Sequence, residues 1–357
     1  MKKRINYIDI ARAFAIIFIA LGHTLVHSQH CGIIFKFLYS FHVVLFFIIS
    51  GYTFKIKENE HFFDFLKHKF IRIMIPYFSW ALLFLIPYMV LGENVGNSIG
   101  TNSSFSLKTQ IINVLYGNGN ASALKQNSSL WFLPALFSIE IIYYFIIKLT
   151  KKLPKLKIVI LISNLLISYL TNAFLKINLP WGINTALVIG IFFYIGYLFK
   201  EYNLFNKDRI FKLKFILPLL IIGILSFYFN DTVSCIDYNY GSLTLALLSG
   251  IGLSTFIIYL SYLIKENKMM EYIGKNTMGI LIFHKLIILI FQTKLGPISA
   301  LLKNSNIIIE LALSLVIVVL SIVCSLIGSA IIRKFMPILI GEQRPSPKNW
   351  YWLFTEK

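Results

Sequence analysis

The first apolar segment of the chain, residues 5–24, constrains its fold more than any other stretch. Its sequence, INYIDIARAFAIIFIALGHT, is long enough to span a bilayer, yet it contains Asp9, Arg12 and His23. Ionisable side chains inside a membrane-spanning helix are costly and therefore indicate a functional site. Arg12 and His23 are eleven positions apart, close to three whole helical turns, so both lie on one face about 16 Å apart. The segment predicts a helix with a fixed cation near its start and a titratable imidazole near its end.

The composition of the whole chain is that of an integral membrane protein. Of its 357 residues, 57% are hydrophobic and only 14% are charged, with a mean hydropathy of +0.74. Soluble domains have about 25% charged residues. The net charge of +19 would indicate nucleic-acid binding in a soluble protein. Here we expect basic residues to mark cytoplasmic loops, and no nucleic-acid partner is predicted. No small-residue cleavage site follows the first apolar segment, so we expect it to be retained as the first helix.

Ten apolar runs have the length of spanning helices. With the N-terminus placed in the cytoplasm, 26 of the 34 Lys and Arg residues fall in cytoplasmic segments, six in outer segments, and Arg12 and Lys285 within helices. This alternation predicts an all-α bundle of about ten transmembrane helices with both termini cytoplasmic. We assign residues 1–335 to this domain and residues 336–357 to a short cytoplasmic tail. The ten runs are 6–25, 34–54, 71–91, 130–149, 157–175, 183–199, 213–230, 242–264, 277–292 and 306–332.

The longest outer connection, residues 92–129, is rich in Asn, Ser and Gly and is either a lid facing an acceptor or a flexible loop. Its sequons at Asn102, Asn120 and Asn127 are not expected to be glycosylated, since the Ile/Asn/Lys/Phe bias indicates a bacterial protein. No internal repeat is evident, which disfavours an inverted-repeat transporter. The three cysteines have no metal or redox spacing, and a disulfide is conceivable only between Cys31 and Cys235.

The predicted topology places cations at the cytoplasmic ends of helices and histidines deeper in the membrane. Lys69 and Arg72 lie at the cytoplasmic start of the third run, three positions apart and therefore on one helix face. His23 lies toward the outer half of the first run, and His42 starts the second run on the outer side. His284 lies at middle depth in the ninth run.

This arrangement suits acyl transfer from a phosphate-bearing donor. Phosphates of such a donor can dock at Lys69, Arg72 and Arg12, because arginine offers a forked set of donors and lysine a point charge. A histidine farther in can take a proton from an acceptor hydroxyl as that hydroxyl attacks a thioester, since imidazole titrates near working pH.

Each of these residues also has a structural interpretation. Lys69 and Arg72 can be anchors at the cytoplasmic end of a helix. Asp9 can pair with Arg12 one turn away. A single histidine in a spanning helix is often only an interhelical hydrogen-bond donor, but three in separate helices favour a site. Ser50 and Gly51 can be a small, close-packed pair.

Five segments occur in an order that resembles a known family. Arg12, ten intervening residues and His23 form the first; the others are FHVVLFFIISGY, KFIRIMIPY, SLWFLPALF and GILIFH. They are similar to the Arg/Lys-to-His spacing, phenylalanine-rich Ser-Gly segment, paired-arginine motif, Leu-Trp-Phe-Leu segment and late histidine helix of the membrane-bound acyltransferase-3 family. Lys69 stands where that family has the first arginine of its pair. This difference keeps the positive charge but loses one guanidinium group that could bind a phosphate through two hydrogen bonds. Without an appended soluble domain, the chain is closest in form to the fucose 4-O-acetylase-like subgroup.

The resemblance implies a multi-pass O-acyltransferase of the bacterial cell membrane. Such an enzyme most often moves acetyl from cytoplasmic acetyl-CoA to a hydroxyl of a cell-surface or lipid-linked glycan, and no metal is implied. His23 would be the base, Arg12 would orient the donor, and the Lys69–Arg72 pair would hold CoA phosphates. The implied catalytic candidates are His23, Arg12, Asp9, His42 and His284, and the donor-binding candidates are Lys69, Arg72, Ser50, Gly51 and Trp131.

Two other functional classes stay open at this point. A transporter or flippase of a lipid-linked sugar would use the intramembrane charges to line its path. A non-catalytic scaffold or sensor is disfavoured by the buried Arg12 and His23. The sequence does not select the acceptor sugar, acetyl over succinyl or another short acyl group, or direct transfer over an acyl-histidine intermediate. It also leaves open whether the exposed apolar faces meet lipid or another copy of the chain.

Overall fold

The computed structural model describes residues 5–26, 28, 30–86, 106–117, 124, 127–175, 178–204, 213–294 and 306–342. These residues form helices and no strand, apart from one isolated antiparallel bridge between Ser234 and Asn239. A π-helix, Phe70–Met74, joins α4 to α5, and 3-10 turns precede α7 (Ser128–Trp131), precede α9 (Pro180–Gly182) and follow α14 (Pro337–Ile340). We number the α-helices of this part in chain order: α1 Asn6–Leu25, α2 Gly32–Tyr39, α3 His42–Thr53, α4 Phe62–Lys69, α5 Ile75–Leu83, α6 Leu107–Tyr116, α7 Phe132–Lys152, α8 Leu156–Phe174, α9 Ile183–Glu201, α10 Leu213–Phe229, α11 Leu243–Ile264, α12 Lys268–Lys275, α13 Thr277–Lys294 and α14 Ile307–Phe335.

Each of the ten predicted runs contains helix in its described residues, but not every one is a full span. Within the described ranges, seven helices or helix pairs are long and apolar enough to cross a membrane, and up to eight if the bent pair α12–α13 is one span. The run 213–230 is the shorter apolar helix α10, and the run 71–91 is divided between the π-helix and α5. The chain is therefore an all-helical, multi-pass membrane protein in a lipid bilayer. The count of ten and the side of each terminus stay predictions.

Several predicted features lie outside the described residues. They include most of the 92–129 connection with Asn102 and Asn120, and the chain after residue 342. The third sequon, Asn127, is described and buried, and its amide Nδ2 donates to the carbonyl of Ile282 at 2.8 Å. Asn127 is thus an internal bridge to α13.

The helix α1 lies at the centre of the bundle. It packs against α2, α3, α11, α12, α13 and α14, and about two thirds of its spanning window lies inside the protein. By contrast, only 6% of the α8 window is inside, and its apolar side chains face outward. Since lipid tails are as apolar as these side chains, α8 is solvated by the bilayer while α1 is enclosed by protein. The ionisable groups of α1 therefore meet other helices rather than lipid.

Glycines allow three helices to pack closely around the start of α1. A Cβ at Gly51 of α3 would collide with the Phe193 carbonyl of α9, and a Cβ at Gly196 of α9 would collide with the Ile48 carbonyl of α3. A Cβ at Gly274 of α12 would likewise collide with the carbonyl of Asp9. Close backbone contact at small residues is the usual way that helices associate in a membrane, where water does not drive them together.

A sharp bend separates α12 from α13. The two helices differ in direction by 82°, and Asn276 lies at the break. The Asn276 side chain donates to the carbonyl of Tyr272 at 2.7 Å and accepts from Arg333 Nη2 at 2.6 Å. Arg333 also forms a forked ion pair with Glu342. These partners satisfy polar groups at the break and leave α12 lying across the start of α1.

The cysteines form no disulfide in the described part of the chain. Cys31 and Cys235 are both free and buried, and Cys324 is free and exposed. The Cys31 thiol donates instead to Glu310 Oε2 at 3.8 Å. The pairing of Cys31 with Cys235, conceivable from the sequence, is therefore not formed.

Candidate active site

A cavity of about 1020 Å³ opens at the end of the bundle where α1 begins. Along α1 its wall runs from Ile5 to Ile19. The remaining walls come from α3, the π-helix, one side of α7 along its whole length, the end of α9, the end of α12, the beginning of α13 and the turn that follows α14. We call its open side, around Arg12, the cation end. A volume of this size is at the upper limit for small-molecule sites.

Arg12 is held in place by two side chains at the cation end. Its Nη1 donates to Asp9 Oδ1 at 2.9 Å, and its Nη2 donates to Thr53 Oγ1 of α3 at 3.1 Å. Asp9 is buried, whereas a quarter of the Arg12 side chain remains exposed to the cavity. The pairing of Asp9 with Arg12 across one helical turn is confirmed. It orients the guanidinium toward the cavity and across to α3.

Lys69 has a buried acidic partner that sequence reasoning missed. Its Nζ donates to Glu140 Oε1 of α7 at 2.9 Å, and it lies 5.2 Å and 5.4 Å from the ring centres of Phe54 and Phe65. Glu140 was the only carboxylate in the apolar run 130–149. Glu140 is thus an acid inside a spanning helix, as Asp9 is, and such residues indicate a functional or paired position. The charge of Lys69 is therefore largely balanced within the protein.

Arg72 lies in a different environment from Lys69. The π-helix begins directly after Lys69, and its turns are wider than those of an α-helix. Lys69 and Arg72 nevertheless both line the cavity, which is consistent with the predicted common face. Arg72 is exposed and lines the cavity, while Gly341 packs on its backbone carbonyl. To the described residues its guanidinium makes no hydrogen bond and no ion pair. It is thus available to a bound anion.

The wall of the cavity is positively charged as a whole. Seven Lys and Arg residues line it, against four Asp and Glu residues. Each of the four acids is already paired with a cation: Asp9 with Arg12, Glu140 with Lys69, Glu201 with Lys157, and Glu342 with Arg333. The nearby His68 reports the same field, since burial and then the charges of Lys69 and Arg72 lower its pKa.

The other three donor-binding candidates differ in their position relative to the cavity. Ser50 lines the cavity. Gly51 faces α9 and packs against its backbone, which favours the close-packing role for this residue. Trp131 is buried in the 3-10 turn that precedes α7, with its ring 6.3 Å from that of Phe132, and it is not among the residues that line the cavity.

Two of the three predicted imidazoles come together beyond the inner end of the cavity. The rings of His23 and His284 have centres 5.3 Å apart. His284 is fully buried, and its Nδ1 donates to the carbonyl of Ile280 at 2.7 Å, so the hydrogen of the neutral ring is on Nδ1. Its Nε2 has no hydrogen-bond partner among the described residues. We call the region around this pair the imidazole end.

His42 belongs to the same region but not to the pair. Its Nδ1 donates to the carbonyl of Leu38 at 2.5 Å, and its ring lies 4.7 Å from that of Tyr39. Tyr39 in turn packs against Gly22, next to His23. His42 is buried, whereas His23 is partly accessible. Among the three imidazoles, His23 is therefore the most exposed.

The distance between cavity and imidazole is one helical turn. Ile19 is the last α1 residue in the cavity wall, and His23 follows it by four positions. Leu281 is the last α13 residue in the wall, and Lys285 follows it by four positions. On a helix, residues four apart lie on the same face. Both helices thus lead from the cavity to the imidazole end.

The described residues contain no group of three or more His, Cys, Asp and Glu side chains positioned to hold a metal ion. The site instead joins a cationic, partly apolar cavity to an imidazole pair. An elongated anion with a reactive far end is the kind of ligand that such a combination suits.

Comparison with known proteins identifies the family. A model of the acyltransferase-3 family, described as an acyltransferase domain, matches residues 5–333. The chain belongs to this family, and the match spans α1 through almost the whole of α14. It is a membrane acyltransferase. Searches of curated proteins and of solved structures returned no match.

Proposed function

We propose that this chain is an O-acyltransferase that takes an acyl group from acyl-CoA bound in the cavity and transfers it to a glycan hydroxyl, with His23 as general base. One observation carries the proposal. A positively charged cavity runs along α1 and ends one turn before a partly accessible histidine on the same helix. That geometry fits a donor that is anionic at one end and reactive at the other.

The cation end would bind the CoA phosphates. Arg72, which has no partner in the described part of the chain, is the best-placed group for a bidentate phosphate contact. Arg12, oriented by Asp9 and Thr53, would hold the donor farther in. Lys69 would contribute less than the resemblance implies, because Glu140 already neutralises it. Ser50 and the apolar wall would line the passage of the pantetheine arm.

The imidazole end would carry out the chemistry. His23 would take the proton of the acceptor hydroxyl as that oxygen attacks the thioester carbon, and would return a proton to the leaving thiolate. His284 and His42 would complete its surroundings. Direct transfer needs only this one proton cycle and is the simpler route for a site with one accessible imidazole.

The Lys and Arg distribution supports an orientation in which the cation end faces the cytoplasm, where acyl-CoA is available. The acceptor would then reach His23 from the outer side, as expected for a cell-surface or lipid-linked glycan in a bacterial cell membrane. Acetyl is the proposed acyl group, and the acceptor class of the fucose 4-O-acetylase-like subgroup is the first to test.

The test is acyl-CoA turnover by the purified protein in nanodiscs, measured as free CoA thiol with acetyl-CoA and with succinyl-CoA, with and without a surface-glycan extract. We expect glycan-dependent release from the wild type and almost none from His23→Ala. His61→Ala removes an exposed imidazole at the start of α4 and should behave as wild type. A folded wild type that releases no CoA under any of these conditions would contradict the proposal and favour transport of a lipid-linked sugar.

A further inference from the structure

Lys285 is a cation in the interior of α13 that takes no part in the donor binding or proton transfer proposed above. It is the residue after His284, and its side chain is partly buried. Its ammonium donates to the hydroxyl of Ser128, in the 3-10 turn that precedes α7. The neighbouring Asn127 bonds the α13 backbone at Ile282. The Asn127–Ser128 pair therefore ties Lys285 to one position, and the ammonium cannot simply extend to the membrane surface.

The charge of Lys285 is not balanced by a close acid. Among the described residues it has no ion pair, and its hydrogen-bond partner there is the neutral hydroxyl of Ser128. An ammonium group has three hydrogens to donate, and the Ser128 hydroxyl accepts one of them. A buried, incompletely paired cation is costly in a spanning helix and is retained where it acts on a charge.

The residues around Lys285 show where its ammonium lies relative to His23 and the cavity. Lys285 directly follows His284, whose ring centre lies 5.3 Å from that of His23. Leu281, one turn before Lys285 on α13, closes the cavity from that side, and Ile19 closes it one turn before His23 on α1. The ammonium and the His23 imidazole thus flank the point to which the donor passage leads.

We propose that Lys285, held by Ser128, stabilises the negative charge that develops on the acyl carbonyl oxygen during transfer. This proposal rests on the acyl-transfer function proposed above. Donors that are fixed in advance toward such an oxyanion are among the largest contributions to acyl-transfer catalysis. Ser128 is then a positioning residue, since it acts through Lys285.

The step balances with the groups present. The acceptor oxygen bonds to the thioester carbon, its proton passes to His23, and the carbonyl π electrons move to the oxygen that faces Lys285. The tetrahedral intermediate collapses when these electrons re-form the carbonyl and the carbon–sulfur bond breaks. The thiolate takes the proton from His23, and the products are the ester and CoA thiol.

The alternative is that Lys285 only binds the acceptor glycan and does not stabilise the oxyanion. The two assignments differ when water replaces the glycan. An oxyanion forms with either nucleophile, so a group that stabilises it accelerates slow acyl-CoA hydrolysis and glycan acylation alike. A group that only anchors a glycan has no effect on hydrolysis.

The experiment compares wild type, Lys285→Met, Ser128→Ala and Lys36→Met in nanodiscs. Lys36 lies in α2 and donates to the Tyr228 carbonyl, outside the imidazole cluster, so its replacement is a control for loss of one lysine charge. The measurements are the rate constants of glycan acylation and of acyl-CoA hydrolysis, the affinity for CoA, and the melting temperature.

We expect Lys285→Met to lose about 10²–10³-fold in both rate constants, as for removal of one oxyanion donor, with unchanged CoA affinity. Ser128→Ala should lose less, in both reactions equally, and Lys36→Met should match wild type. Hydrolysis at the wild-type rate in Lys285→Met would overturn the proposal. So would a loss that only follows a fall in melting temperature and CoA affinity. An inactive wild type would contradict the acyl-transfer function itself, whereas an active wild type with an equally active Lys285→Met contradicts only the role of Lys285.

Discussion

The cation end and the imidazole end of the site differ in how their polar groups are satisfied. At the cation end, each acid is paired with a cation, while Arg72, Lys55 and Lys151 line the cavity without an ion pair to the described residues. At the imidazole end, the described residues leave the His284 Nε2 without a hydrogen-bond partner and Lys285 without an ion pair, and the partly accessible His23 lies beside His284. We propose that the first region binds the donor and that the second carries out the transfer. Changes at the cation end should therefore alter donor affinity, and changes at the imidazole end should alter turnover.

The largest effect is expected from His23→Gln, which preserves much of the side-chain volume but removes the base. We expect the turnover rate constant to fall by about 10²–10⁴-fold, the range that general-base catalysis contributes. The affinity for acyl-CoA, measured by isothermal titration calorimetry, should stay within error of wild type. A parallel loss of acyl-CoA affinity would show that the imidazole end also contributes to donor binding.

Next in size is the effect of Glu140→Gln on stability. The change leaves the mostly buried Lys69 without its acid, and breaking such a pair costs about 3 kcal/mol. We expect a lower melting temperature in nanodiscs, and a larger rise on adding CoA than in wild type, because a bound phosphate replaces the missing carboxylate. The double variant Lys69→Met/Glu140→Gln should recover most of the stability. Failure of that recovery would mean that Glu140 stabilises the fold in another way.

A smaller effect is expected from Arg72→Ala, and it should be confined to binding. Loss of a charge-assisted hydrogen bond costs about 1.5–3 kcal/mol, or roughly 10- to 150-fold in donor affinity. Turnover at saturating donor should hardly change. Arg72→Lys should restore part of the affinity, and the affinity of wild type should fall with added salt. A reduced rate at saturation with unchanged affinity would move Arg72 to the reacting end.

The smallest effect is expected from His68→Gln. Burial and the neighbouring cations Lys69 and Arg72 lower the pKa of His68, so its ring is neutral at pH 7.5. The variant should bind CoA as wild type does at that pH. Below the lowered pKa the wild-type ring gains a charge at the cation end, and only there should wild type bind CoA more tightly than the variant.

Much of α1 was predictable from the sequence because its constraint is local. The spacing of Arg12 and His23, their common face and the pairing of Asp9 with Arg12 all follow from helical geometry within one segment. The membrane class follows equally well from apolar length. These inferences need no knowledge of which helices meet.

The features that escaped prediction depend on contacts between segments distant in the chain. Glu140 pairs with a lysine 71 positions away, and Ser128 bonds a lysine 157 positions away. No periodicity in one helix encodes such partners. The π-helix after Lys69 likewise packs against α7, and Arg333 bonds to Asn276 at the 82° bend. Glu140 alone carried a signal, as an acid within an apolar run.

The most direct test of the central claim is a cryo-EM structure of His23→Ala in nanodiscs with acetyl-CoA, since this variant should bind the donor without consuming it. The account predicts phosphate density at Arg72 and the pantetheine arm along α1. The thioester should lie beyond Ile19, between the position of residue 23 and the Lys285 ammonium. An acetyl-CoA molecule bound with its thioester at the cation end, or bound outside the cavity, would contradict the account.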